Sequence, residues 1–305
     1  MPISWIFALA VFLVSMALVL AARLSYGVGR TFDLEVVLTE QDNPAIGVAL
    51  FGYIAAVIIV QAALVSEVCS HPMSGPGLAS AVFQLLLYGT MTMLLLRLAS
   101  WINDRLLLPG FENRKELIED RNIGAGAALA GTYVATGLVL AGAFPERMDA
   151  SASPELTAML PQVVVALLLF ALGQLSLWLF TLIYRRVQQH DLIAAIEQDY
   201  EVDGVVHGGN AAAGLALAGN HIAMGLVLYG ATRGDFTGWL DMLQHWGAGT
   251  VYGLLVIPAW RLFVQAVMLR QANLADEIYR DRNTNAALLE GTAVVAVAMM
   301  YIWLP

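Results

Sequence analysis

The sequence predicts an all-α, polytopic membrane protein with eight transmembrane helices set out as four two-helix repeats. Three observations predict it. Apolar residues make up 59% of the 305 and charged residues 13%, with a mean hydropathy of +0.71; a soluble domain is about half apolar and about a quarter charged. Apolar runs long enough to cross a ~30 Å hydrocarbon core as helices cover 4–23, 44–65, 79–101, 123–144, 157–184, 210–231, 239–269 and 285–304. The runs are continuous rather than alternating, which sets aside a barrel. Their start signals also recur in pairs along the chain, the mark of an internal repeat.

The first run is read as a helix that stays. No basic side chain precedes it in Met1-Pro2-Ile3-Ser4, and it is too long for the apolar core of a leader. The second, fourth and sixth runs each open on an asparagine, in the stretches 43–47, 122–126 and 210–214, led by Asn43, Asn122 and Asn210. The eighth has a degenerate version led by Asn283. An Asn at that place can accept from the unpaired N–H groups that begin a helix. Asp42, Asp120 and Asp281 stand just ahead of three of them, where a negative charge suits the helix dipole.

A stripe of small residues follows each Asn. It runs Ala45, Ala49, Gly52, Ala56 in the second helix, Gly124, Ala128, Gly131, Ala135 in the fourth, and Ala212, Ala216, Gly219, Ala223 in the sixth. Steps of four, three and four leave one helix face nearly bare. In lipid, burying apolar surface drives nothing, and bare faces let backbones approach and gain dispersion contacts. Gly52, Gly131 and Gly219 are therefore helix-packing positions rather than walls of a cofactor groove.

The third, fifth and seventh runs open near Gln84, Gln162 and Gln244, which precede the next Asn by 38, 48 and 39 residues. The third repeat thus carries about ten extra residues, between Asp191 and His207. Pro258, shortly before Trp260, predicts a kink in the seventh helix. Successive hairpins point the same way. The chain divides into two four-helix modules, 1–145 and 146–305, related by an axis along the membrane normal.

Thirteen Lys and Arg lie on the loops and helix ends of one side, from Arg23 to Arg282, against Arg147 and Arg233 on the other. That asymmetry predicts a cytoplasmic side for the thirteen and places both termini outside the cytoplasm. The same side holds about seventeen Asp and Glu, a wet, slightly acidic face able to steer cations or basic partners. The net charge of −9, without a basic stripe, excludes nucleic acid as a partner.

An Asn that starts a Gly/Ala-rich helix after a charged cytoplasmic segment, in doubled form, resembles the YjfL-like family of bacterial membrane proteins, the domain-of-unknown-function family numbered 350. The resemblance covers 44–305 as two modules, or the whole chain if the first hairpin is counted. It implies a bacterial inner-membrane location and supplies no activity.

Few polar groups lie within the apolar runs. Glu290, in Ala287-Leu-Leu-Glu290-Gly291, is the sharpest. Acids at such depth face protein or water and have a partner. Its functional readings are a cation-binding carboxylate or a proton carrier; its structural reading is an interfacial carboxyl paired with Arg282 or capping a neighbour. Asn220 and His221, midway along the sixth helix, serve either a pathway or helix–helix hydrogen bonds. Arg97 and Arg261 are assigned to helix ends, snorkelling toward headgroups. Glu67, Cys69 and His71 offer metal-ligand types in the first external loop, without the spacing of a known site, and the single cysteine cannot form an internal disulfide. Nucleophile elbows, phosphate loops and HExxH are absent from the sequence, so neither an enzyme nor a cofactor is expected. The leading expectation is a small-solute or ion permease lined by Glu290, Asn220 and His221. Its alternative is a membrane scaffold that docks a cytoplasmic protein, and a homo-oligomer suits either.

Overall fold

The computed structural model describes residues 2–29, 32–70, 75–107, 115–144, 156–188, 190–202, 205–234 and 236–303. Among them, eight helices are long and apolar enough to cross a membrane. In chain order the helices are α1 (Pro2–Gly27), α2 (Leu34–Thr39), α3 (Pro44–Ser70), α4 (Gly75–Ile102), α5 (Ile123–Ala143), α6 (Leu156–Val187), α7 (Leu192–Glu197), α8 (Ala211–Thr232), α9 (Trp239–Phe263) and α10 (Thr284–Ile302). α4 and α9 continue into π-helical turns, Asn103–Leu107 and Val264–Met268. Further π turns, Lys115–Glu119 and Asp276–Arg280, occupy the places that α2 and α7 hold in the other loops.

One local geometry recurs at the start of α3, α5, α8 and α10. The residue ahead of the asparagine is left-handed each time: Asp42 (φ 48°), Arg121 (φ 50°), Gly209 (φ 64°) and Arg282 (φ 55°). For the three non-glycines this costs of order 1 kcal/mol each, so the turn is worth holding. It aims each Asn at its own helix and at the next loop together. Oδ1 accepts from the first free N–H groups: Ala45 and Ile46, Ala125, Ala213, Asn285 and Ala286. Nδ2 reaches forward to a carbonyl of a later loop: Asn43 to Leu117 at 2.8 Å, Asn122 to Ile196 at 2.7 Å, Asn210 to Ile278 at 3.0 Å. Asn283 donates instead to Glu277 in its own loop at 2.8 Å.

The insertion in the third loop is a two-stranded antiparallel ribbon, β1 (Tyr200–Val202) with β2 (Val205–His207), paired from Tyr200↔His207 to Val202↔Val205. It leaves the shared geometry intact. Asn210 N–H still donates to the Ile196 carbonyl, 3.1 Å away, as Asn122 N–H does to Glu116 at 2.8 Å. Beside that second bond, burial holds the Glu116 carboxyl above the usual carboxylate range even though the Asn122 amide donates to it.

Asn122→Asp is a direct test of the forward link. The cap survives, and the Ile196 carbonyl keeps the Asn210 N–H, but the amide that joins that carbonyl to the buried Glu116 carboxyl is lost and a second carboxyl faces Glu116, a loss of about 1–3 kcal/mol. Thermal unfolding in detergent should show that loss for Asn122→Asp. At Asn283, which lacks the link, the same change should cost less.

α3, α5, α8 and α10 form a row, with α1, α4, α6 and α9 packed along it. The span in α5 is 89% buried and that in α8 78%, against 22% for those in α1 and α9, so the middle of the row is the centre of the protein. The small residues make the row possible. A Cβ on Gly137 would stand 2.7 Å from Ala56 Cα, and one on Gly225 2.6 Å from Ala135 Cα. The row also stops for a steric reason. The place nine residues after the Asn holds Gly52, Gly131 and Gly219 but Thr292 in α10, and the place after eight holds Ala130, Ala218 and Gly291 but Phe51 in α3. Phe51 is 70% exposed, a lipid-facing side chain where backbone contact would otherwise continue.

Candidate functional site

The place seven residues after the capping Asn holds Leu50, Leu129 and Leu217 in three helices and Glu290 in α10. Glu290 is fully buried. An ionised group inside hydrocarbon costs about 2.5–3.5 kcal/mol on insertion scales, so its neighbours must compensate. They do so on one oxygen. Oε1 accepts from Asn220 Nδ2 at 2.9 Å, from Arg261 Nε at 3.2 Å and from the Tyr184 hydroxyl at 3.3 Å. Oε2 and the neighbouring Asn220 Oδ1, both buried, have no hydrogen-bond donor among the described residues. Arg261 passes a further N–H to Gln188 Oε1 at 2.6 Å. Helices α6, α8, α9 and α10 thus meet at one buried ion pair.

Two sequence expectations are corrected here. Arg261 does not snorkel: it is 5% exposed, because α9 runs on through the π turn at Val264–Met268 and leaves it short of the helix end. Arg282 is not the partner of Glu290. Its guanidinium lies 4.0 Å over the Tyr200 ring and donates to the Gln198 and Gly209 carbonyls, held by the ribbon that no sequence signal used above announced. The Asp203-Gly204 pair between two β-prone triplets is the hairpin signal that could have found it, although those two residues lie outside the described ones.

A line of polar side chains joins the ion pair to the loops. The Tyr279 hydroxyl donates to that of Tyr184 at 3.3 Å, and Tyr184 donates to Glu290. Burial pushes the Tyr279 phenol above its ordinary range, so it stays a neutral donor and acceptor. Its ring lies 5.4 Å from that of His190, edge to face. His190 Nε2 is 3.3 Å from Asp276 Oδ1, with both side chains about a third exposed.

His221 does not join this cluster. Asn220 turns toward Glu290, while His221 turns toward α5 and α6, its Nδ1 3.1 Å from Thr132 Oγ1 and its Nε2 2.9 Å from Thr181 Oγ1. Thr132 also reaches Asn103 Oδ1 at 3.2 Å. This is a helix-joining seam of the kind lipid favours, each bond worth about 0.6–2 kcal/mol. Gln174 extends it by donating to Thr136. Gln265 holds the loop after α9 through the Leu269 and Ala272 carbonyls. Arg97 donates to the Ser25 and Val28 carbonyls at the end of α1. The triplet Glu67, Cys69 and His71 runs into residues outside the described ones. Among the described residues no three metal-ligand side chains gather.

Eight apolar spans closed around polar seams and one buried ion pair define a multi-pass transmembrane protein. The chain belongs to the family described as Domain of Unknown Function (DUF350), which matches it twice in tandem, over residues 3–144 and 157–303. It is also similar to a UPF0719 transmembrane protein of Aquifex aeolicus (strain VF5), 22% identical over 222 residues that cover 72% of this chain and 75% of that one. No solved structure matches the chain.

Proposed function

We propose that the protein is a proton-coupled small-solute or ion permease of the bacterial inner membrane, without catalytic activity, in which Glu290 exchanges the proton or cation. The observation that carries this reading is the hydroxyl line from Tyr279 through Tyr184 to Glu290, whose outer end packs ring against ring on His190, itself beside Asp276. Three donors crowd one carboxylate oxygen and leave the other, like the Asn220 amide oxygen, without a donor among the described residues, which suits a site that takes up one proton or one small cation. Imidazole, phenol and carboxyl can each accept and release a proton. The two 3.3 Å hydroxyl contacts exceed an ordinary O–H···O bond by a few tenths of an ångström, so relay through them needs only a small side-chain shift. The excess of basic residues on the loops and helix ends that bear this entrance supports a cytoplasmic side for it, with both termini outside.

The test leaves the ion pair alone. Tyr279→Phe and Tyr184→Phe each keep the ring and delete one hydroxyl of the line. Proton flux into reconstituted vesicles, followed with a pH-sensitive dye, should fall at least tenfold in either variant, with thermal stability little changed in Tyr279→Phe and modestly lowered in Tyr184→Phe, which removes a donor to the buried carboxylate. Undiminished flux in the double variant would remove the relay. The second reading, a scaffold that docks a cytoplasmic protein, is favoured by the backbone-to-backbone row α3–α5–α8–α10 and expects no proton flux even from the unaltered chain.

A further inference from the structure

The buried pair of Arg261 and Glu290 is added to a packing scheme that works elsewhere without it. Leucine holds the place of Glu290 in α3, α5 and α8. Asn122 and Asn283 stand 161 residues apart, and the π turns at 103–107 and 264–268 keep the same interval. It sets Ser100 against Arg261 and Leu129 against Glu290. Helix contact at that level needs no charge, so the two charges ask for another cause.

The pair is left with unspent capacity of opposite kinds on its two sides. Glu290 Oε2 and Asn220 Oδ1 are buried acceptors without a donor among the described residues. Gln188 Nε2 is a buried donor without an acceptor among them. It belongs to the same amide whose Oε1 accepts from Arg261 Nη2 at 2.6 Å. Arg261 spends one N–H on Glu290 and one on Gln188, out of the five that a guanidinium has. A proton answers the first lack and an anion answers the second.

Charge ties the two together. Among the described residues, the charged or titratable groups that face Glu290 from the packed elements are Arg261 of α9 and Tyr184 of α6, with Tyr279 behind Tyr184. α8 brings the uncharged Asn220. Glu290 is the acid in ion-pair reach of Arg261 among the described residues. A guanidinium keeps its charge in a protein, and a buried charge that loses its partner is strongly destabilising. A proton taken up by Glu290 alone would therefore strand Arg261. A proton taken up with one monovalent anion leaves the site as neutral as before.

We propose that Arg261 and Gln188 form an anion subsite, so that the protein takes a small monocarboxylate together with one proton. The proton goes to Glu290, and the carboxylate to the unspent N–H groups of Arg261 and Gln188. The planar guanidinium fork matches the two oxygens of a carboxylate, which a halide does not offer. Arg261 and Gln188 are 5% and 4% exposed, which restricts the anion to a small one. The inference rests on proton exchange at Glu290 and names the solute that accompanies it.

The unaltered full chain, purified in detergent, is titrated calorimetrically with sodium pyruvate in two buffers of different ionisation enthalpy, with sodium chloride as control. Saturable binding at least tenfold tighter than that of chloride is expected. It should take up about one proton per pyruvate and tighten up to about tenfold for each unit fall in pH. Glu290→Gln fixes the neutral form of the side chain. It should bind pyruvate without proton uptake, and its lowered Tm should recover when pyruvate is added. Gln188→Glu gives Arg261 a second carboxylate. It should bind pyruvate at least tenfold more weakly with Tm retained, and it decides the matter if Glu290→Gln does not fold. Vesicles separate this inference from permeation. Pyruvate binding with proton uptake, but without pyruvate-driven proton entry, keeps the subsite and removes the permease. Proton entry that ignores pyruvate, with no pyruvate binding, keeps the permease and removes the subsite. Chloride binding as tight as that of pyruvate, binding to the unaltered chain without proton uptake, or binding untouched by Gln188→Glu also overturns the proposal.

Discussion

Gly131→Leu and Gly219→Leu should each collapse the yield of folded protein, while Gly247→Leu should express and melt like the unaltered chain. The contrast follows from what a side chain would meet. A Cβ on Gly131 falls 2.7 Å from Ala218 Cβ, and one on Gly219 falls 2.5 Å from Gly291 Cα, whereas one on Gly247 meets nothing within 4 Å. Backbone cannot turn aside as the tip of a flexible side chain can. Either substitution must therefore push two helices of the central row apart along their length. Overpacking costs about 1–3 kcal/mol in soluble cores. The cost here should exceed that, because separated helices also lose the close dispersion contacts that hold a membrane bundle. Even Gly131→Ala should lower Tm. The measurement is thermal unfolding of detergent-purified variants. Equal melting of Gly131→Leu and Gly247→Leu would show that the row is not what holds the bundle.

The spans were legible because hydrocarbon admits only long apolar helices whose backbone groups are internally paired. The repeated Asn was legible for a local reason, since a cap is decided within four residues. Its forward bond was not. Nothing in a run of residues around 43 shows that Asn43 Nδ2 will meet the Leu117 carbonyl 74 residues on. The ion pair failed in a more instructive way. Glu290 stood out as a charge in an apolar run, whereas Arg261, near the end of its run, was assigned to a headgroup. Only the continuation of α9 as a π turn places it inside. Comparison between repeats could have raised both, because the matching residues are Leu129 and Ser100. Asn220 and His221 looked like one site because they are adjacent. On a helix, adjacent residues point about 100° apart, and these two serve different neighbours.

Arg261→Met should be among the most destabilising substitutions in the protein, and Glu290→Leu made in the same chain should rescue it. The pair is buried on both sides, 6% and 0% by side chain. Removing one member of a buried pair leaves the other charge uncompensated, at about 3–5 kcal/mol, whereas replacing both with apolar groups is often neutral or stabilising. Glu290→Gln belongs with the single losses, since it strands the Arg261 guanidinium. Leu stands seven residues after the capping Asn in the other three Asn-capped helices, the place of Glu290 in α10, and Met approximates the stem of Arg261. Thermal melts should therefore place the double variant near the unaltered protein and far above either single one. A single variant as stable as the parent would mean that the pair contributes nothing. A double variant as unstable as Arg261→Met would mean that the two residues do not act together. Function separates from stability in that same double variant. It should be folded yet pass no protons in reconstituted vesicles, because the carboxyl at the end of the Tyr279–Tyr184 line is gone. If it folds and its proton flux equals that of the unaltered chain, Glu290 holds helices together and carries nothing across.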